Sequence, residues 1–149
     1  MKTTLLIILG FLMSLACGES PKKDSNTLLE TQEVTNWARP GAQSQMSGAY
    51  LVYKNTLNIA DTLVSVNSNV AKMTQIHESY TTEDGLAGMR EMKQVIIESQ
   101  EELTLERGGL HIMLMNLKSD LSTGDSIYVQ LTFTQAGEVN LSLPVLGSN

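Results

Sequence analysis

Ser126-Ile127-Tyr128-Val129-Gln130-Leu131-Thr132-Phe133 decides the fold. Ile127, Val129, Leu131 and Phe133 alternate with Ser126, Tyr128, Gln130 and Thr132, the period of a strand with one buried face. Downstream, Val139, Leu141 and Leu143 repeat the alternation, and Gln135-Ala136-Gly137 between the two runs predicts a hairpin turn. Pro144 closes the last strand. Upstream, Ala49–Lys54, Thr62–Val66, Ala71–Ser79 and Leu110–Met115 are further strand candidates. Turn signals lie at Arg39-Pro40-Gly41, Glu83-Asp84-Gly85, Arg107-Gly108-Gly109 and Thr123-Gly124-Asp125. Met89–Gln100 reads as strand and loop, because helix caps are missing and Val95-Ile96-Ile97 is β-branched. Short strands punctuated in this way predict an all-β sandwich or Greek-key barrel.

The remaining chain frames that domain. It has 149 residues, enough for one domain, and 42% of them are hydrophobic, enough for a core. Ten Lys and Arg stand against 16 Asp and Glu, a net charge of −6 without a basic cluster. Nucleic-acid binding needs a positive stripe to displace counterions, so that class is excluded. Met1-Lys2, the apolar run Leu5–Leu12 and Ser14-Leu15-Ala16-Cys17 have the layout of an export signal, too short to span a bilayer as a mature helix. The one cysteine, Cys17, stands at the processing point and resembles a bacterial lipobox, with Ser14 where Leu is usual. The expected organisation is a lipoprotein-type export signal at 1–16, a flexible linker at 17–29 and a β domain at 30–146. A lipid on Cys17 would be the only tie to a membrane, in the periplasm or cell envelope. A lone cysteine also excludes an internal disulfide framework and a CxxC redox or zinc site.

No nucleophile elbow, P-loop, Rossmann glycine pattern or HExxH motif is present. Glu83-Asp84 and Glu101-Glu102 fall at expected loops and read as solvated acids. The chemistry lies with the two histidines. In Leu110-His111-Ile112-Met113-Leu114-Met115, strand alternation puts Leu110, Ile112 and Leu114 on one face and His111, Met113 and Met115 on the other. His77 sits in another expected strand, and the Asp84-Gly85 turn can bring Met89 back beside it. Thioethers are soft, neutral ligands, whereas calcium and magnesium want oxygen donors and zinc favours thiolate, imidazole or carboxylate. Two His and two Met therefore suit Cu(I), with only the imidazoles competing with protons. Four protein ligands leave no open position for a substrate, which favours transport over catalysis. Methionines on strands also serve as ordinary core filler, and on these residues alone both readings stand.

The spacing adds a resemblance. His77, eleven residues, Met89, twenty-one residues and then His111-x-Met113 resembles the signature of the PCuAC family of periplasmic copper chaperones. Ala38-Arg39-Pro40-Gly41 before Gly48-Ala49-Tyr50, Glu83-Asp84-Gly85 before Met89, and Gly108–Lys118 are similar to the same family. So are Gly124-Asp125 and Phe133–Val139, and the resemblance spans about residues 31–145. It implies a cupredoxin-like β-sandwich and one Cu(I) held by His77, Met89, His111 and Met113. It also implies a non-enzymatic chaperone delivering copper toward the CuA centre of cytochrome c oxidase, through a CuA domain or an accessory dithiol protein as acceptor. Two departures stand out. Glu78 follows the first histidine where the family often has Met, and the last residues, Leu146-Gly147-Ser148-Asn149, lack the His/Met-rich tail on which some members hold a second copper. Met115 is read as packing or shielding. The rival readings are a copper-resistance or storage protein with the same site, and a metal-free sandwich for protein binding.

Overall fold

The computed structural model describes residues 35–147, and among them every regular element is a strand. The ten are β1 (Trp37–Ala38), β2 (Ser47–Lys54), β3 (Asp61–Ser68), β4 (Ala71–Thr81), β5 (Ala87–Glu91), β6 (Val95–Ile97), β7 (Glu102–Leu105), β8 (Leu110–Leu117), β9 (Ser126–Phe133) and β10 (Gly137–Pro144). They form two antiparallel sheets. One has the order β1-β2-β8-β4-β5 with β7 also paired to β2; the other runs β10-β9-β3-β6. This is the expected all-β sandwich. Cys17, the export signal and the linker lie outside the described residues.

Alternation builds the core. Ile127, Val129, Leu131 and Phe133 of β9 are buried, as are Leu63 and Val66 of β3, on the inner face of the smaller sheet. Leu51 of β2, Ile76 of β4, Ile112 and Leu114 of β8, and Leu103 and Leu105 of β7 face them from the larger. Burying such aliphatic side chains is worth about 1.5–3 kcal/mol each, and this holds the sheets together. Gln135 and Ala136 form the expected β9–β10 turn, and Gly137 closes it at φ 75°, a left-handed value that glycine adopts without a Cβ penalty. Asp61 anchors that turn. Its carboxylate accepts from the Gln135 and Ala136 N–H groups at 2.8 and 2.9 Å and from the Thr134 hydroxyl at 2.9 Å. Burial opposes the charge, but these bonds and one from the Thr62 N–H outweigh it and hold the carboxyl below its ordinary range.

One feature differs from the sequence expectations. Val95-Ile96-Ile97 is a short strand, as its β-branching implies, but Glu102 opens β7 and does not sit in a loop. The β7 segment alternates exposed Glu102 and Thr104 with buried Leu103 and Leu105. Four residues are too short a run to stand out beside the acidic pair. Arg107-Gly108-Gly109 is the expected strand-joining turn, and the two strands it links pair with β2. β7 and β8 both run antiparallel to β2, at Leu51↔Leu105 and Ala49↔Ile112. The chain therefore follows one path along β2 and makes a short excursion at Glu106–Gly109 between them. Glu106 N–H donates to the Leu110 carbonyl at its base, and Gly108 turns it at φ 80°.

Candidate metal centre

Strand register gathers the four sequence-predicted residues on one face of the larger sheet. His77 of β4 lies directly opposite His111 of β8. Met113, two residues on from His111, lies opposite Gln75 of β4 on one side and Gly48 of β2 on the other. Met89 of β5 lies opposite Ser79 of β4, one diagonal step from His77, and residues so placed are about 7–8 Å apart. Opposed residues and those two apart share a face, so all four side chains leave the side away from Ile76, Ile112 and Leu114. Glu91, opposite His77, belongs to that face as well.

The imidazoles are close and individually oriented. Their ring centroids are 6.2 Å apart with planes at 60°. A metal–nitrogen bond of about 2.0–2.1 Å would put the centres of two rings sharing one ion at most about 6.4 Å apart. The observed separation is inside that linear limit and about 1 Å wider than a tetrahedral ion would set, so the rings close slightly on a four-ligand metal.

His111 is only 6% exposed, and its Nδ1 lies 3.0 Å from the Gly109 carbonyl. A carbonyl can only accept, so Nδ1 carries the proton and Nε2 keeps its lone pair. His77 has the opposite arrangement. Its Nε2 lies 3.1 Å from Gln75 Oε1, also an acceptor, which leaves the lone pair on Nδ1. That Nδ1 is buried without a hydrogen-bond partner. Leaving a buried acceptor unpaired costs about 1–3 kcal/mol, a cost that a coordinated ion would remove. Holding a ligating imidazole through its second nitrogen is how proteins set tautomer and ring orientation at metal sites.

Gln75 and Gly109 therefore belong to the functional arrangement, and sequence reasoning did not single them out for it. Each stands two residues before its histidine, Gln75 on the same face of β4 and Gly109 just ahead of β8. That spacing is the signal that could have found them.

The thioethers sit where one side is open. Met113 is half-buried and Met89 is 56% exposed. A groove of about 680 Å³ runs beside them, lined by Met46, Met89, His111, Met113, Arg39 and Arg107 among others. Tyr50 forms part of its wall. Its hydroxyl is 2.9 Å from where a Cβ on Gly48 would stand, so a larger residue there would push the end of the ring aside. Tyr50 packs on Trp37 with centroids 4.7 Å apart, and Arg107, carried by the excursion before β8, lies over the Trp37 ring at 4.6 Å. The face thus offers two imidazole lone pairs and two thioethers, a set without thiolate that suits a soft monovalent ion.

Comparison with known proteins agrees with this architecture. Residues 31–145 match the family described as "Putative lipoprotein LpqE-like". The chain is 33% identical over 131 residues to "Putative lipoprotein Lxx21020" of Leifsonia xyli subsp. xyli, covering 87% of this chain and 76% of that one. Among solved structures, Cu(I)-bound DR1885 of Deinococcus radiodurans is 27% identical with a TM-score of 0.57, covering 76% of this chain and 77% of that one. The apo PCuAC domain of PmoF1 is 23% identical with a TM-score of 0.61, covering 76% of this chain and 91% of that one. The sandwich thus has the cupredoxin-like fold of the PCuAC domains, and the chain belongs to the LpqE-like family.

Proposed function

We propose that this protein is an exported Cu(I) chaperone, not an enzyme, and that His77, Met89, His111 and Met113 hold one copper ion. The opposed histidines carry the reading: two rings 6.2 Å apart, each tied through one nitrogen, with two thioethers on the same face. The likeness to the Cu(I)-bound DR1885 structure supports Cu(I) as the cargo. A thioether-rich site disfavours zinc and Cu(II), whose binding gains from harder donors.

Release follows from the same chemistry. The exposed Met89 and the groove beside Met113 give an incoming ligand access from one side. A thiolate or imidazole can then displace the thioethers one at a time. Thiolates hold Cu(I) more tightly than thioethers, so the free energy runs toward a Cys-bearing acceptor. A CuA domain of cytochrome c oxidase, or a dithiol protein that loads it, meets that description.

The test is anaerobic transfer. Copper-loaded protein is mixed with an apo CuA domain or a dithiol acceptor, and the metal is followed after separation. Copper should move, and His111→Ala should not deliver because it does not load. Retention against every such acceptor would make storage or resistance the better reading. Failure to bind Cu(I) at all would leave a metal-free binding module. The family match to lipoproteins supports Cys17 as the lipidated first residue of the mature chain, with the domain tethered in the cell envelope.

A further inference from the structure

Eight methionines are many for a chain of this size, and the four-ligand site uses two of them. Three others stand together. Met73 of β4 lies directly opposite Met115 of β8. On the other side of β8, Ser47 pairs with Leu114, so Met46 falls opposite Met115 by continuation of the register. The chain keeps beside β8 there, since Ser44 N–H donates to the Leu117 carbonyl at 2.8 Å and Leu117 N–H to the Gln45 carbonyl at 3.0 Å. Met46 is two residues from Gly48, Met115 two from Met113, and Met73 two from Gln75, so all three share the face of the metal centre. They form a lateral row, Met46–Met115–Met73, across three adjacent strands about 4.8 Å apart.

This row does not behave as core. Met46 is 62% exposed and Met73 is 53% exposed, and Met115 between them is half-buried. Burial would be the ordinary use of a methionine, and the structure leaves Met46 and Met73 largely in water. The row lies one side-chain step, about 7 Å along β8, from Met113. Met46 also lines the groove that holds Met89, His111 and Met113.

We infer that Met46, Met73 and Met115 form a second soft-metal site, a three-thioether station for Cu(I) beside the four-ligand centre. Three neutral thioethers give a soft donor set that holds Cu(I) without imidazole or thiolate and gives zinc or Cu(II) little. With three donors and two of them exposed, the station binds more weakly than the four-ligand centre. Cu(I) passes between the two through the Met113 thioether, which both border. The sequence reading gave Met115 a packing or shielding role; its two neighbours in the row make it the middle ligand. The relay role rests on the proposed copper centre, whereas Cu(I) binding by the row does not.

The experiment is a stepwise anaerobic Cu(I) titration of protein labelled at the methionine methyl carbons. The first equivalent should shift the Met89 and Met113 methyls. Further Cu(I) should shift Met46, Met73 and Met115 together, and zinc should leave them unmoved. The triple variant Met46→Leu, Met73→Leu, Met115→Leu keeps side-chain volume and should bind one equivalent fewer while retaining the first. The inference is overturned if the three methyls stay fixed in excess Cu(I), if zinc shifts them equally, or if the triple variant binds as many equivalents as the wild type. A His77→Ala, His111→Ala variant separates the two readings: the row should still respond there. If in the wild type the row responds while Met89 and Met113 do not, the row stands and the four-ligand centre fails.

Discussion

His111 Nδ1 donates to the carbonyl of Gly109, two residues before it, at 3.0 Å, and that same carbonyl accepts the Ser79 N–H of β4 at 3.1 Å. One backbone oxygen therefore holds both the ring and the neighbouring strand. His77 is fixed through its other nitrogen, by Gln75. The two imidazoles should coordinate through opposite atoms, His111 by Nε2 and His77 by Nδ1. Nitrogen-15 spectra of the histidine side chains should show those two resonances shift on adding Cu(I). Coordination of both rings through the same atom type would contradict the arrangement.

Met89 and Met113 should matter to copper and little to folding. Met89→Leu should lower Cu(I) affinity by about tenfold, roughly 1.4 kcal/mol. It should leave the denaturation midpoint nearly unchanged, because exposed positions usually stay within about 0.5 kcal/mol. Met113→Leu conserves volume in a half-buried place and should cost less than about 1.5 kcal/mol of stability while lowering affinity as much. Competition with a coloured Cu(I) chelator, with denaturant unfolding alongside, measures both. Affinity equal to the wild type in both variants would make these methionines packing residues.

Asp61 should be a stability residue far from the copper chemistry. Asp61→Asn removes the charge that receives two N–H groups and a hydroxyl at the β9–β10 turn and the N–H of Thr62 in β3, and losing such bonds costs about 1–3 kcal/mol. The folded carboxyl sits below its ordinary value, so the native state binds fewer protons than the unfolded chain. Its contribution is complete above the unfolded value of about 3.9 and is lost as pH falls through the lower folded value. Acid titrations of wild type and variant should therefore converge at low pH and differ near neutrality. A constant gap across that range would assign the effect to packing.

Cys17 should decide where the protein resides. Expressed in a bacterial host with lipoprotein processing, the wild type should carry a lipid-modified Cys17 at its N-terminus and fractionate with membranes. Cys17→Ser should release the protein from them. Intact mass spectrometry reads the modification directly, and an unmodified mature protein beginning at another residue would refute lipidation.

Period two made the sandwich readable from residue types alone. Alternation along β9 and β10 depends on nothing outside those strands, and burial of Ile127, Val129, Leu131 and Phe133 follows from it. The same rule put His111 and Met113 on one face with Ile112 and Leu114 on the other. Spacing, by resemblance, also selected His77 and Met89. Alternation could not reveal β7, whose four residues are too few to establish a period. Nor could it reveal that β7 and β8 share one path beside β2, because pairing partners are set by long-range contacts. Which nitrogen of each histidine remains free, and which methionines stand side by side, depends on strand neighbours distant in sequence. Gly109 faces Ser79, Met73 faces Met115, and Met46 joins them only because β2 lies against β8. The sequence by itself determined the donor types and the face of the strand they occupy, because those are local properties of a pleated chain. Only the tertiary structure decided their register, and register places one soft donor within reach of the next.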